Sequence, residues 1–342
     1  MGVVSVTVAG KPLPDSMSAA LARAEVDQEL NLPSTCAVEV GSVDFKRSVF
    51  QGIDLTSARI GDPVVVGFGM ESTKPIFEGR LGALEMVFGD ESAVELQGYD
   101  ALYRLQFGTT TRTFERSSDT QIATRIARDN GLDIRADDSG VTYPYVIQAD
   151  QSDFAFLSAR AARIHFELFV TGRTLYFRRS IAGQSPTTKL RLGVDLTTLT
   201  VRARALKQGS RVTRVGWDPK KKQSIVATVS SGPASLRMGG QKTGYELSAA
   251  YAASPVSAMD PEILDQKSAR AIAEATYEAD VEGFIEVEAS AAGNPALRPG
   301  VNVEIEGIGG RFSGLYYVTA AKHVYTQQDG YTTTISLRRT GV

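Results

Sequence analysis

Few residues in this chain have the types and spacing that acid–base, nucleophilic or metal chemistry requires. The two histidines, His165 and His323, are far apart and offer no His-x-x-x-His spacing, so neither has a metal partner by spacing. Each reads as a strand or boundary residue: His165 sits between Ile164 and Phe166, and His323 lies in Ala321-Lys322-His323-Val324-Tyr325. Cys36 is the single cysteine, which excludes an internal disulfide framework and a thiolate metal cage within one chain. A glycosidase needs two carboxylates, but Glu304 and Glu306 alternate with Val303 and Ile305 and read as the wet face of a strand.

The glycine-rich runs fail as nucleotide loops. Gly239-Gly240-Gln241-Lys242-Thr243 puts Gln241 where a phosphate loop needs its second glycine. Gly307-Ile308-Gly309-Gly310-Arg311-Phe312 puts Phe312 at the third glycine of a dinucleotide fingerprint, with a strand to follow, so it reads as a turn. The nucleophile elbow Gly-x-Ser-x-Gly is absent. Lys220-Lys221-Lys222 reads as a solvated hairpin tip rather than a polyanion contact. The expectation is therefore no enzyme, with no catalytic, cofactor-binding or metal-binding residue and no cofactor.

The elements around these residues are mostly strands. The chain has 342 residues, enough for two to three average domains. At 42% hydrophobic and 22% charged it has the composition of a globular chain with sizeable cores. A formal charge of −2 argues against a general nucleic-acid coat. Met1–Thr7 alternates like a strand and lacks the basic start of a signal peptide. Val64–Met70, the longest clean apolar stretch, is too short to span a bilayer. Synthesis and folding in the cytoplasm are expected.

Strands are expected at Val3–Val8, Ala37–Val40, Pro63–Phe68, Leu81–Phe88 and Ala93–Leu96. Ser118 can cap a helix to about Asn130, and a second helix opens at Ser152-Asp153. Strands His165–Val170 and Thr174–Phe177 complete an α+β unit. Val212–Gly216 and Ile225–Val229 flank the lysine turn. Residues 231–260 have weak periodicity, and a helix is expected from Asp260-Pro261 to about Tyr277.

The outer β regions resemble each other. Arg59-Ile60-Gly61-Asp62-Pro63-Val64 precedes Phe77-Glu78-Gly79-Arg80-Leu81; Arg298-Pro299-Gly300-Val301-Asn302-Val303 precedes Phe312-Ser313-Gly314-Leu315-Tyr316. In each copy an Arg-x-Gly turn launches one strand and a Phe-x-Gly step the next. A turn follows, Gly89-Asp90 or Asp329-Gly330. A chain holding two similar barrels is pseudo-two-fold.

Several stretches then resemble the tail-hub proteins of contractile phages, the late control protein D family, whose architecture also forms the hub part of VgrG proteins. They are Gly98-Tyr99-Asp100-Ala101-Leu102-Tyr103-Arg104-Leu105, Ser118–Ala123, Tyr143-Pro144-Tyr145-Val146-Ile147-Gln148, Gln151–Leu157, Leu175–Arg178, Gly293–Gly300, Phe312–Val318 and Gly330–Thr333. The resemblance implies an α+β, mainly β chain. It would hold two tail-tube-like β-barrel domains, an α+β insertion domain and a helical insertion. The expected divisions are 1–105, first barrel; 106–186, α+β domain; 187–230 with 281–342, second barrel; and 231–280, linker and helix.

The resemblance also implies a homotrimer of pseudo-six-fold symmetry at the centre of a baseplate. That trimer would join the hexameric tail tube protein to a separate trimeric spike protein, among other baseplate proteins, with no membrane and no specific nucleic acid bound. Assembly in the bacterial cytoplasm into a virion tail or injection particle is implied. The rival functions are a glycan- or receptor-binding tail-tip protein, against which the single Trp217 argues, and a cell-wall hydrolase.

Overall fold

The computed structural model describes residues 2–41, 43–44, 49–50, 58–87, 93–207, 209–251, 253 and 255–342. The expected turn at Gly89-Asp90 and the end of the strand at Phe88 lie outside them.

The chain opens with β1 (Val3–Val8), β2 (Lys11–Pro12) and a short helix, α1 (Asp15–Ala19). Then come β3 (Leu21–Glu29), β4 (Thr35–Gly41), β5 (Val43–Asp44) and β6 (Val49–Phe50). β7 (Pro63–Gly69), β8 (Lys74–Val87) and β9 (Ala93–Tyr99) follow. Alternation decides the faces: along β4, Cys36, Val38 and Val40 point into a core with Val66, Phe68 and Phe77.

The middle unit holds α2 (Ala101–Arg104), β10 (Thr110–Ser118), α3 (Asp119–Asp129), β11 (Asp133–Ala136) and β12 (Thr142–Gln151). It closes with α4 (Asp153–Arg163), β13 (Phe166–Thr171) and β14 (Thr174–Arg179). Ser118 and Gln121 form a reciprocal capping box at the start of α3, as the sequence predicts. Ser152 caps α4. Ile122, Ile126, Leu157, Leu168 and Phe177 share the core of this unit.

Beyond it run β15 (Thr188–Arg191), β16 (Leu196–Ala203), β17 (Arg211–Asp218), β18 (Gln223–Val229), α5 (Gly244–Ser248), β19 (Pro255–Met259) and α6 (Gln266–Val281). β20 (Ile285–Ala292), β21 (Asn302–Glu306), β22 (Gly314–Thr326) and β23 (Gly330–Arg339) end the chain.

Two expectations need correction. The last helix starts at Gln266, not at Asp260-Pro261. Asp260 already accepts the Glu262 N–H at 2.9 Å and pairs with Arg163, whereas Asp265 accepts the Ser268 N–H at 2.6 Å and caps the helix. Residues 211–229, expected in the second barrel, instead form a separate sheet, β18-β17-β19. That sheet packs on α6 around Val212, Ile225, Ile272 and Tyr277. The parallel partner β19 was invisible in the weakly periodic 231–260 stretch.

Apart from β5 and β6, which pair only with each other, the remaining outer strands join one 13-stranded sheet, which contains the path β16-β20-β23-β22-β3-β4-β9-β8-β7-β1-β2. Two runs of it repeat: β3-β4-β9-β8-β7 and β16-β20-β23-β22-β21. The repeat extends to irregularities. A bulge between Leu81 and Ala83 in β8 matches one between Val318 and Ala320 in β22. Another between Leu21 and Arg23 in β3 matches one between Leu196 and Thr198 in β16.

The Arg-x-Gly turns are equivalent. The Gly61 N–H (φ +95°) donates to the Leu81 carbonyl at 2.7 Å, and the Leu81 N–H donates back to Asp62 at 2.9 Å. The Gly300 N–H (φ +81°) donates to Val318 at 2.9 Å, and the Val318 N–H to Val301 at 2.9 Å.

The Phe-x-Gly steps are not equivalent. Val64 faces Gly79 and Val303 faces Tyr316, so Gly79 corresponds to Tyr316 and not to Gly314. The glycines have different causes. A Cβ at Gly79 would meet the Tyr99 carbonyl oxygen at 2.3 Å, whereas Gly314 has φ +133°.

Candidate functional site

The residues with chemical potential are scattered and engaged. Glu304 and Glu306 stand opposite Lys189 and Arg191 across the parallel β15·β21 pair. Lys189 lies 2.8 Å from Glu304, and Arg191 3.0 Å from Glu306. The Arg191 hydrogen bond holds Glu306 below the usual carboxylate range. A glycosidase acid needs the opposite shift, so this is a cross-strand charge ladder on an exposed face.

His165 follows α4 with φ +55°. Its Nε2 is 2.8 Å from Glu282 and its Nδ1 3.6 Å from Glu278. Burial disfavours the charge, but the two carboxylates overcome it and raise the imidazole to about 9. Glu282 also pairs with Arg338 at 2.5 Å. The cluster ties the middle unit to α6 and β23. A second tie runs from Tyr317, whose hydroxyl donates to Glu167 at 2.6 Å, while Arg178 holds the other oxygen of that carboxylate at 3.1 Å.

A buried ionic group went unseen in the sequence. Arg160, 5% exposed, pairs with Asp119 at 2.5 Å and Glu262 at 2.8 Å, and lies over the Tyr143 ring. Burial pushes Asp119 up against the attraction of Arg160. The signal was available: Arg160 falls on the same α4 stripe as Phe156, Leu157 and Ala161, where a cation demands a buried partner.

The glycine loops are turns. The Gln241 and Lys242 N–H groups donate to the Val342 carbonyl at 2.8 and 2.9 Å, and Thr243 caps α5. Residues 307–313 connect β21 to β22, with Gly307 and Gly309 at positive φ. Lys220–Lys222 form an exposed hairpin tip, where Asp218 accepts the Lys220 and Lys221 N–H groups at 2.9 and 3.1 Å. Trp217 beside it is 53% exposed. Cys36 is buried and its thiol is pushed up to about 12. Among the described residues no three of His, Cys, Asp and Glu converge to hold a metal ion.

The feature with the most structural consequence is the seam where the two sheet runs meet. The first part of β22 pairs with β21 (Asn302↔Tyr317 to Ile305↔Gly314); the rest of that edge turns to β3 (Ala320↔Glu29 to Thr326↔Arg23). His323 lies under this seam, fully buried. It accepts from the Tyr331 hydroxyl at 2.7 Å if its other nitrogen donates to the Leu297 carbonyl at 3.0 Å. Burial lowers it to about 4, so the ring is neutral. Phe68, from the first core, stacks on Tyr331 with centroids 5.0 Å apart. On the outer face Lys322 pairs with Glu25 and stands opposite Asp27.

This frame can be compared with known proteins. The family model described as the Alg8 N-terminal domain matches residues 1–327. The chain belongs to that family. The family's description differs from the tail-hub family that the sequence resembles, and it assigns no chemistry to any residue described above. No curated protein matches the chain.

Among solved structures, the 43 kDa tail protein of prophage MuSo2 from Shewanella oneidensis superposes with TM-score 0.73 at 14% identity, covering 99% of this chain and 98% of that one. The tail protein from Neisseria meningitidis MC58 gives 0.71 at 12% identity, covering 99% and 96%. The Escherichia coli c3393 protein, a component of the type VI secretion system with structural similarity to the T4 tail proteins gp27 and gp5, gives 0.60 at 13%, covering 97% and 76%. The chain therefore has the fold of these tail and secretion proteins along nearly its whole length. It is mainly β with few helices, as expected. Among the described residues no helix is long and apolar enough to cross a membrane.

Proposed function

We propose that the chain is the structural hub of a contractile tail or injection particle: a homotrimer of pseudo-six-fold symmetry joining the hexameric tail tube to a trimeric spike. The observation that carries this reading is the repeated strand run, with matching bulges, joined edge to edge within one chain. Two similar units per chain and three chains give six, the number a hexameric tube requires. Fold likeness to tail proteins over the whole chain supports the same reading.

In this reading the two runs are tail-tube-like barrels, with residues 1–105 the first. The second is 187–204 with 281–342, and 106–186 is the α+β insertion. Residues 205–280, carrying β17–β19, α5 and α6, form a further insertion. The chain acts by geometry and not by catalysis, bound to other baseplate proteins in a particle assembled in the bacterial cytoplasm. It belongs to the late control protein D group of hubs, with neither membrane nor specific nucleic acid as a partner.

Native mass of the purified chain, alone and mixed with its candidate spike, tests this. A trimer, or a 3:3 complex, supports the hub. A monomer in both conditions overturns it, and glycan binding and cell-wall zymography then become the assays to run.

A further inference from the structure

The repeat predicts where one copy of the chain meets the next. Within the chain, the outer edge of β22 beyond its bulge pairs with β3. The equivalent of β22 is β8, whose outer edge pairs with β7 only as far as Arg80. The equivalent of β3 is β16, which ends the sheet path. Among the described residues, Ala83–Val87 and Thr200–Arg204 therefore each present an outer edge with no partner strand. Both are accessible: Met86 is 43% exposed, Val87 52%, and Arg202 and Arg204 lie on the surface. Unpaired edges of this kind are templates for another strand.

We infer that β8 of one copy pairs antiparallel with β16 of a second copy, in the register of the internal β22·β3 seam. Counting from the matched bulges, Ala320 corresponds to Ala83 and Glu29 to Arg204. The seam Ala320↔Glu29 through Val324↔Glu25 then becomes Ala83↔Arg204, Leu84↔Ala203, Glu85↔Arg202, Met86↔Val201 and Val87↔Thr200. This rests on the hub reading only for the number of copies; the edge and its register follow from the repeat.

The side chains fit this register. Glu85 falls opposite Arg202, and exposed Met86 falls opposite Val201, which already packs against the core formed by Ile285, Val287 and Leu337. The charges also discriminate. The internal seam places the cation on β22 (Lys322) and the acid on β3 (Asp27); the seam between copies reverses this, with Glu85 on β8 and Arg202 on β16. Pairing β3 with β8 would put Asp27 opposite Glu85, and pairing β16 with β22 would put Arg202 opposite Lys322. Like charges directly opposite are destabilising, so each edge rejects the wrong partner. Because the two edges of one copy differ, the contact is head to tail and closes into a ring or runs on.

The test is cysteine linkage in the full chain, with buried Cys36 as a silent background thiol. Directly opposed residues have Cβ atoms about 4.5–5.5 Å apart, so the E85C/R202C double variant should link copies under mild oxidation. V87C/R204C, on the same face but four residues out of register, should not. In a second measurement, E85R and R202E should each lower the native mass, and the two together should restore it.

Equal linkage in both cysteine variants overturns the register. A trimeric native mass without E85C/R202C linkage overturns the edge pairing and leaves the hub standing. E85C/R202C links that extend past three copies support the pairing and overturn the three-fold hub. A monomer with no links overturns both.

Discussion

The two repeated runs share a ladder down to their bulges, yet the edge that β22 gives to β3 has, among the described residues, no partner strand on β8. At the closed seam the side chains on the inner face are His323 and Tyr331, locked to each other and stacked near Phe68. At the open edge the position of His323 is taken by Met86, 43% exposed. A seam made within one chain can specialise its buried face with polar groups, because both partners are always present. An edge that waits for a partner does better with an unbranched apolar side chain, which has no buried hydrogen bond to lose while alone.

The largest effect should come from breaking the closed seam. Phe68 is fully buried between the first core and the seam, so Phe68→Ala should cost about 3–5 kcal/mol of unfolding free energy. Met86→Ala should change the stability of the isolated copy by much less and act on association instead. Denaturant midpoints at low protein concentration, with native mass at high concentration, separate the two. Equal losses from both variants would mean that the open edge is already packed in the single copy.

Acidity should act on the seam next. His323 is lowered to about 4 in the fold, against about 6.5 in an unfolded chain. The unfolded state therefore binds more protons in that window, and this contribution to stability is complete above about 6.5 and lost as pH falls toward 4. His165 has the reverse sign. Raised to about 9 by Glu278 and Glu282, it contributes below about 6.5 and loses that contribution as pH rises through 9. Urea midpoints against pH should fall on both sides, with H323N flattening the acid limb and H165Q the alkaline one. If H165Q flattens the acid limb, the assignment is wrong.

Much of this frame was legible from local rules. Ser118 announced α3, and alternation in Ala37–Val40 placed β4. One resemblance stretch, Gly98–Leu105, has local causes as well. A Cβ at Gly98 would meet the Cys36 sulfur at 2.7 Å, and Asp100 caps α2 while accepting the Ser34 N–H. The Arg-x-Gly repeat was real because both turns need positive φ; the Phe-x-Gly repeat was not, because a glycine excluded by close approach looks like one chosen for φ.

What stayed hidden was non-local. β19 is a short edge strand fixed by β17, and the Asp119–Arg160 pair joins residues distant in sequence. Asp260-Pro261 had good capping chemistry, but Arg163 and the Glu262 N–H had already engaged the carboxylate. The seam itself could not be read from either strand alone, since β3 and β22 lie at opposite ends of the chain.

The smallest effect tests whether charge chooses between seams. Lys322 is 42% exposed and its partner Glu25 17%, and such cross-strand pairs contribute roughly 0.2–1 kcal/mol. Glu25 is held below the usual carboxylate range by Lys322 and Arg23 despite the opposing effect of burial. K322E should lower the unfolding free energy by about that amount, since it faces Asp27 and Glu25 with a like charge, and D27K in the same chain should recover part of it. The informative readout is association. A chain with K322E and D27K carries at its internal seam the polarity of Glu85 and Arg202, so its β3 strand, freed by transient opening, can accept the β8 edge of another copy. Irregular oligomers in this variant, with the original chain uniform under the same conditions, would show that the reversed charges keep the two seams apart. Unchanged uniformity would assign that discrimination to backbone shape and to the His323–Tyr331 lock.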